Sequence, residues 1–288
     1  MYAVTGITGQ IGAAVARSLL SADQPVRAVV RDKAKGATWA ALGCEVAVAD
    51  LSDAGALAAA FEGTQGVFAM LPPVFDPEPG FPEARAFIEV LRAVLALAKP
   101  AKVVALSTVG ADAPQPNLLN ALGLMEDALK SLPVPVTFLR AAWFMENAAW
   151  DIGAARDGVI QSYLHPLDRA VPMIATDDVG RTAATLLLEP WQGQRVVELE
   201  GPRRVSPNAL AEAFAKALGR AVRAEAVPRD RWEPIFRGQG MKYPTPRMQM
   251  IDGFSAGWID FANRGANARK GAIDIDQAIA TLIQRQGS

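Results

Sequence analysis

The sequence predicts a doubly wound α/β fold, a parallel sheet with helices on both faces, and three observations predict it. Short apolar runs alternate with longer helical patterns through the first half. The runs are continuous in Val, Ala, Leu and Phe rather than alternating apolar and polar, the pattern of strands buried on both faces. The first run ends in a glycine-rich turn that leads into a helix.

In chain order, strands are expected at Tyr2–Val4, Val26–Val30, Glu45–Ala49, Val67–Leu71, Lys102–Leu106 and Val136–Leu139. Helices are expected near Gly9–Ser21, Ala34–Leu42, Asp53–Phe61, Pro82–Ala98 and Leu118–Leu132. This is βαβαβ twice over, and right-handed crossovers then favour the strand order 3-2-1-4-5-6, with a ligand crevice at the carboxyl ends of the strands beside the switch point. Residues 1–150 read as the nucleotide-binding domain. From 151 to 288 a smaller, mixed α+β subdomain is expected, with parts of the chain returning to the sheet. Its strand candidates are Val159–Tyr163, Val171–Ile174 and Val196–Leu199. Asp178 is a candidate cap for a helix over Val179–Leu188; Ser206 followed by Pro207 starts another helix, which Gly219 stops. Between Pro228 and Phe261 aromatic and Met residues crowd the chain, to pack under the subdomain or to roof the pocket, with packing favoured.

The first turn reads Thr5-Gly6-Ile7-Thr8-Gly9-Gln10-Ile11-Gly12. Gly6 lets the chain leave the strand sharply, Gly9 admits a pyrophosphate close to the backbone, and Gly12 lets the helix lie on the sheet: a Rossmann-type phosphate loop. First-turn N–H groups and the helix dipole hold the anion. No Lys-Ser/Thr pair follows Gly12, so this is not a Walker loop. Where an acid would hold the ribose diol of NAD, the second strand ends in Arg31-Asp32-Lys33. A guanidinium there can fork onto a 2′-phosphate, so NADP(H) is favoured; Asp32 keeps NAD(H) possible.

What is scarce narrows the chemistry further. The chain has 288 residues, 29 basic and 30 acidic, with no basic stripe, and nucleic acid is not expected as a partner. One cysteine, Cys44, and one histidine, His165, exclude a disulfide and a multi-thiolate metal site, so no metal is expected. His165, before Pro166, reads as a loop residue without chemistry, and no G-x-S-x-G elbow occurs. No apolar run is long enough to span a membrane, since the stretch from Ala84 to Ala98 is broken by Arg85, Glu89 and Arg92. The chain opens inside a strand-like run without a secretory signal pattern, so a cytoplasmic protein, monomer or homodimer, is expected.

The stretches TGITGQIG (5–12), AVVRD (28–32), ALSTVGA (105–111) and FLRAAWFMEN (138–147) together resemble the NmrA-like group of atypical short-chain dehydrogenases. The resemblance covers residues 1 to 150 well and the rest loosely, through Thr176-Asp177-Asp178-Val179-Gly180 and Leu199-Glu200-Gly201-Pro202. It implies that Thr8, Gly9, Gln10 and Ile11 contact the pyrophosphate and that Arg31 meets the adenosine phosphate. It also implies that Asp50 and Leu51 flank the adenine, Met70, Leu71 and Pro72 the ribose, and Ser107, Thr108, Ala142, Trp143 and Phe144 the nicotinamide.

The Tyr-x-x-x-Lys pair that typical short-chain dehydrogenases use as proton donor is missing. Tyrosine occurs only at 2, 163 and 243, none with lysine four residues on. The chemistry left is hydride delivery to a strongly electrophilic aromatic acceptor, of the quinone, azo, nitro or triarylmethane type, that takes its proton from water. Phe75, Trp143 and Phe144 are the candidate apolar wall for such an acceptor, and Glu126 reads as a polar pocket group or a helix-surface charge, with the surface favoured. The resemblance also implies an alternative, a redox sensor that binds NADP(H) without turnover and regulates a partner protein.

Overall fold

The computed structural model describes residues 1–50 and 53–287, so Leu51 lies outside the described residues. Its elements follow the apolar runs: β1 (Tyr2–Val4), α1 (Gln10–Ser21), β2 (Val26–Val30), α2 (Lys33–Ala41), β3 (Glu45–Val48), α3 (Ala54–Phe61), β4 (Gly66–Ala69), α4 (Pro82–Ala98), β5 (Val103–Thr108), α5 (Asn120–Leu129) and β6 (Val136–Ala141). After these come β7 (Trp143–Phe144), a 3₁₀ helix over Met145–Asp151, α6 (Ile152–Arg156), β8 (Val159–Ser162), β9 (Met173–Ile174), α7 (Thr176–Leu188) and β10 (Gln194–Glu200). The chain ends with α8 (Pro207–Leu218), β11 (Arg223–Ala226), α9 (Trp232–Gly238), α10 (Thr245–Ala256), β12 (Arg269–Lys270) and α11 (Ile275–Gly287).

The main sheet runs β12-β10-β6-β5-β4-β1-β2-β3, and every pairing in it is parallel. The order 3-2-1-4-5-6 is present, and two strands from beyond residue 150, β10 and β12, extend it. Successive strand residues feed opposite faces: Tyr2, Val4 and Phe68 join one apolar layer, Ala3, Val67 and Ala69 the other. The first layer holds α1, α7, α8 and α11, the second α3, α4 and α5. β3 departs from two-sided burial because it is the edge strand, and Val48 stays exposed. α1 and α7 pack closely at Gly180, where a Cβ would sit 2.3 Å from that of Ala14.

Several expected boundaries shift. The fourth strand stops at Ala69, releasing Met70 and Leu71 into a loop, and the fifth runs on to Thr108. The stretch Val171–Ile174 is not one strand: Met173–Ile174 pairs with Trp143–Phe144, and Val171 makes an isolated bridge to Val205. Asp178 does not cap α7, which starts at Thr176. It lies inside the helix, buried, bound to Arg181 and to the backbone N–H of Ile273. Ser206 does cap α8, accepting from the Ala209 N–H, and Gly219 ends it in the left-handed region. Trp232, Phe236, Met248 and Ile251 close a small core with Val227. His165 stands in a loop against Trp232, outside the cavity walls described below.

Candidate functional site

Because β1, β4 and β5 are parallel, their carboxyl ends open on one edge, and there the chain leaves a cleft of about 880 Å³. Gly6 takes the left-handed region at φ 62°. A Cβ on Gly12 would lie 2.3 Å from the Gly6 carbonyl oxygen and 2.8 Å from the Ile7 nitrogen, both backbone atoms that cannot yield. Gly9 is the N-cap of α1, and with no side chain to cap the helix the first-turn N–H groups face the cleft. A cradle of backbone donors that excludes a β-carbon fits the pyrophosphate of a dinucleotide.

Polar side chains around this cleft are tied to one another. Glu146, from the 3₁₀ helix, accepts the Thr176 N–H with both carboxylate oxygens, at 2.9 and 3.0 Å, so it is Glu146 that caps α7. The Thr176 hydroxyl donates to Gln10 Oε1 at 3.0 Å, linking α7 to the phosphate loop. Burial raises the Glu146 pKa, and the Thr176 hydrogen bonds draw it part of the way back. Beneath the cleft, Ser107 Oγ donates to Glu126 Oε1 at 2.5 Å. Arg140 forks onto the same carboxylate at 2.8 and 2.6 Å and reaches Asp112 at 2.6 Å. Burial works against the Arg140 cation, but the Glu126 and Asp112 carboxylates outweigh it and hold its pKa above the ordinary value. Glu126 is therefore not a surface charge. It is 1% exposed, because the α5 face that carries it packs on β5 and β6, where Arg140 interrupts an apolar strand.

A second cavity, about 800 Å³, adjoins the first. Pro73, Phe75, Thr108, Phe144 and Trp150 belong to both walls, so the two spaces meet where β4, β5 and β6 end. Phe75 and Trp150, both exposed, form an edge-to-face pair at 6.1 Å on this shared wall. Trp143 meets Phe254 edge-on at 5.1 Å in the second cavity. The aromatic C-terminal segment packs and also roofs. Its Lys242 and Tyr243 N–H groups both donate to Asp76 at 2.7 Å, which straps the segment to the loop after β4 and puts these two residues in the cleft wall.

Of the residues singled out in the sequence, Gly6, Gly9, Gln10, Ile11, Gly12, Met70, Leu71, Pro72, Phe75, Ser107, Thr108 and Phe144 line the cleft. Ala142 and Trp143 line the adjoining cavity instead. Thr8 is exposed on the phosphate loop and lies outside both walls. Arg31 is exposed at the carboxyl end of β2, on the edge the phosphate loop occupies but beyond the cleft wall, and Asp50 stands half-buried nearby after β3. Asp32 accepts the Ala34 N–H at 2.9 Å and caps α2. Glu146, Asn147, Trp150, Thr176 and Tyr243, to which the sequence reading gives no site role, also line the cleft.

Sequence comparison adds the decisive observation: the model of the NmrA-like family matches residues 2–254. The chain belongs to the NmrA-like family. A curated relative, the NAD(P)H azoreductase of Xenophilus azovorans, is 29% identical over 245 residues, covering 84% of this chain and 82% of that protein. Quinone oxidoreductase 2 of Escherichia coli (strain K12) is 32% identical over 238 residues, covering 77% and 76%. The fold is shared with Citrobacter sp. triphenylmethane reductase, with TM-score 0.81 and 20% identity over 98% of this chain and 99% of that one. It is also shared with the NADPH complex of the Escherichia coli quinone oxidoreductase, with TM-score 0.81 and 23% identity over 98% and 100%. Among the described residues, no helix of this NmrA-like chain is long and apolar enough to cross a membrane.

Proposed function

We propose that this NmrA-like protein is an NAD(P)H-dependent reductase that passes hydride to an electrophilic aromatic acceptor without a tyrosine–lysine proton donor. The observation that carries the reading is the junction of the two cavities. A backbone phosphate cradle opens at one end, and an aromatic-walled space opens at the other. The curated relatives, an azoreductase and a quinone oxidoreductase, support it.

When bound, the reduced nicotinamide supplies the hydride. Gln10, Ile11 and Gly12 hold the pyrophosphate with backbone N–H groups, and Gly9, whose own N–H is bonded to the Gly6 carbonyl at 2.9 Å, lets it come close to the backbone. Thr8 is assigned to the pyrophosphate, Asp50 to the adenine, Met70, Leu71 and Pro72 to the ribose, and Arg31 to the 2′-phosphate. NADP(H) preference is supported by Asp32, whose carboxylate is engaged in capping α2 rather than offered to a ribose diol. Ser107, Thr108 and Ala142 border the nicotinamide ring, and the Ser107 hydroxyl is oriented by its hydrogen bond to Glu126. Phe75 and Phe144, joined by Trp150, stack the acceptor at the junction and Trp143 extends the wall into the second cavity, so that catalysis rests on proximity and orientation. A quinone that accepts one hydride needs one proton to become the hydroquinone, and solvent at the exposed Phe75–Trp150 mouth provides it.

Mixing the protein with NADPH and a panel of quinones, azo and nitro aromatics, and following the reduced-nicotinamide absorbance, tests the proposal. Oxidation that depends on the acceptor is expected. NADPH binding with no turnover across the panel would overturn the reductase reading in favour of a sensor.

A further inference from the structure

The second cavity contains one feature that hydride transfer does not use. Arg247, on α10, forms part of its wall, and among the described residues no carboxylate pairs with it. Its guanidinium lies over the Phe236 ring at 4.5 Å, and its Nη1 reaches only the Met241 sulfur, at 3.7 Å. Tyr163 faces it, packed edge-on against Trp232 and tilted against Phe236. Most arginines of this chain that leave bulk water behave differently: Arg140, Arg195 and Arg204 each bind a carboxylate. A partly desolvated cation held only by a ring face, a thioether and a phenol lacks the counter-charge that such groups normally find. Burial accordingly lowers the Arg247 pKa, with only Tyr163 opposing.

Polar side chains share the wall around it, although the Ser162 hydroxyl is given to the Leu164 carbonyl and the Gln161 amide to Glu225. Gln239 reaches the Tyr163 hydroxyl, and Gln161 and Ser162 line the same cavity. Asp151 is the other charged residue of this wall, and burial pushes its pKa up to about 6, so the arrival of an anion meets weak opposition in mildly acidic solution. Apart from Thr108 and Asn147, the rest of the cavity is apolar and aromatic, with Trp143, Phe144, Phe254 and Ile160 prominent. An amphiphilic ligand fits this division: a flat aromatic body toward the β-strand ends, and a negative substituent toward α10.

We propose that Arg247 is a specificity residue that binds a carboxylate or sulfonate on the aromatic acceptor. The inference rests on the reductase reading for its meaning, but the binding it describes does not need turnover. Arg247 would donate two N–H bonds to the anion, charge-assisted and partly shielded from water. Tyr163 and Gln239 would supply further donors to it.

Two matched probes test it, 4-carboxyazobenzene and its methyl ester, with binding read by quenching of tryptophan fluorescence at about pH 6 and turnover read with NADPH. The wild-type protein is expected to bind the acid at least about tenfold more tightly than the ester. Arg247→Met should remove that preference, weakening the acid about tenfold or more while the ester and NADPH change less than about twofold. Arg247→Lys, which keeps the charge without the fork, should restore part of it. Circular dichroism melts of both variants check that the fold persists. Equal affinity for acid and ester in the wild type, absence of binding by either, or equal losses in Arg247→Met would overturn the proposal. Preferential binding of the acid without NADPH oxidation would uphold it while the reductase reading alone fails.

Discussion

The two adjoining cavities are built from different material. The cleft at the carboxyl ends of β1, β4 and β5 is shaped by backbone: a left-handed glycine, an uncapped helix start, and one glycine, Gly12, too close to backbone for a side chain. The second cavity is shaped largely by side chains contributed from β7, β8, α8, α10 and the 3₁₀ segment before α6. Backbone is set by a few local rules and has no slack, whereas side chains from five segments can each change without moving the others. A single added atom should therefore disable the cleft, and substitutions in the second cavity should alter preference while leaving the fold intact.

The largest expected effect lies under the cleft. Glu126→Ala leaves Arg140 buried with only the exposed Asp112 as counter-charge, and removes the acceptor of the Ser107 hydroxyl. Loss of one partner of a buried pair costs about 3–5 kcal/mol, so urea unfolding should show a drop of that order, and a change below about 1 kcal/mol would mean that the pair contributes little.

Gly12→Ala comes next. Its Cβ would collide with backbone on two sides, and a strain of about 3 kcal/mol corresponds to roughly a hundredfold weaker NADPH binding by titration. Binding at wild-type strength would show that the loop is not the cradle.

Arg31→Asp is expected to act on cofactor choice rather than on the fold. Loss of a charge-assisted contact to a 2′-phosphate is worth about 2 kcal/mol, so NADPH should weaken by about thirtyfold and NADH by far less. Equal weakening of both would break the assignment.

The smallest effect belongs to the side-chain cavity. The Asp151 carboxyl is raised from 3.8 to about 6 by burial, so the fold favours its acid form. The stability this contributes is complete below about pH 3.8 and is lost as the pH rises through about 6. Asp151→Asn, neutral throughout, should flatten that decline. After allowance for solvent screening, it should gain on the order of 1 kcal/mol on wild type between pH 4 and pH 8. Identical pH profiles in urea melts would show that Asp151 is not held toward its acid form.

The difference in building material also explains what could be read in advance. Gly6, Gly9 and Gly12 are local signals, legible because three backbone constraints fall within seven residues. Glu126 reads as exposed in the sequence because polar residues occur on several sides of the α5 pattern, and only packing decides which side turns inward. A signal was nevertheless present in Arg140, a charge inside an apolar strand, which calls for a buried partner. Asp178 looked like a cap because caps are usually local. The actual cap, Glu146, is thirty residues away along the chain. Nothing local marks Trp150 or Tyr243, which reach the cleft through a 3₁₀ turn and the Asp76 strap.

By itself, the sequence determined the parallel sheet, the strand order at the switch point and the position of the phosphate loop, since apolar periodicity and glycine spacing act over a few residues. Only the tertiary structure decided that β10 and β12 are the parts that return to the sheet, that Glu126 and Arg140 meet beneath the cleft, and that Arg247 stands in an aromatic wall with no carboxylate paired to it among the described residues. Those outcomes depend on which faces pack against which, and burial and charge pairing between distant segments are settled only when the segments meet.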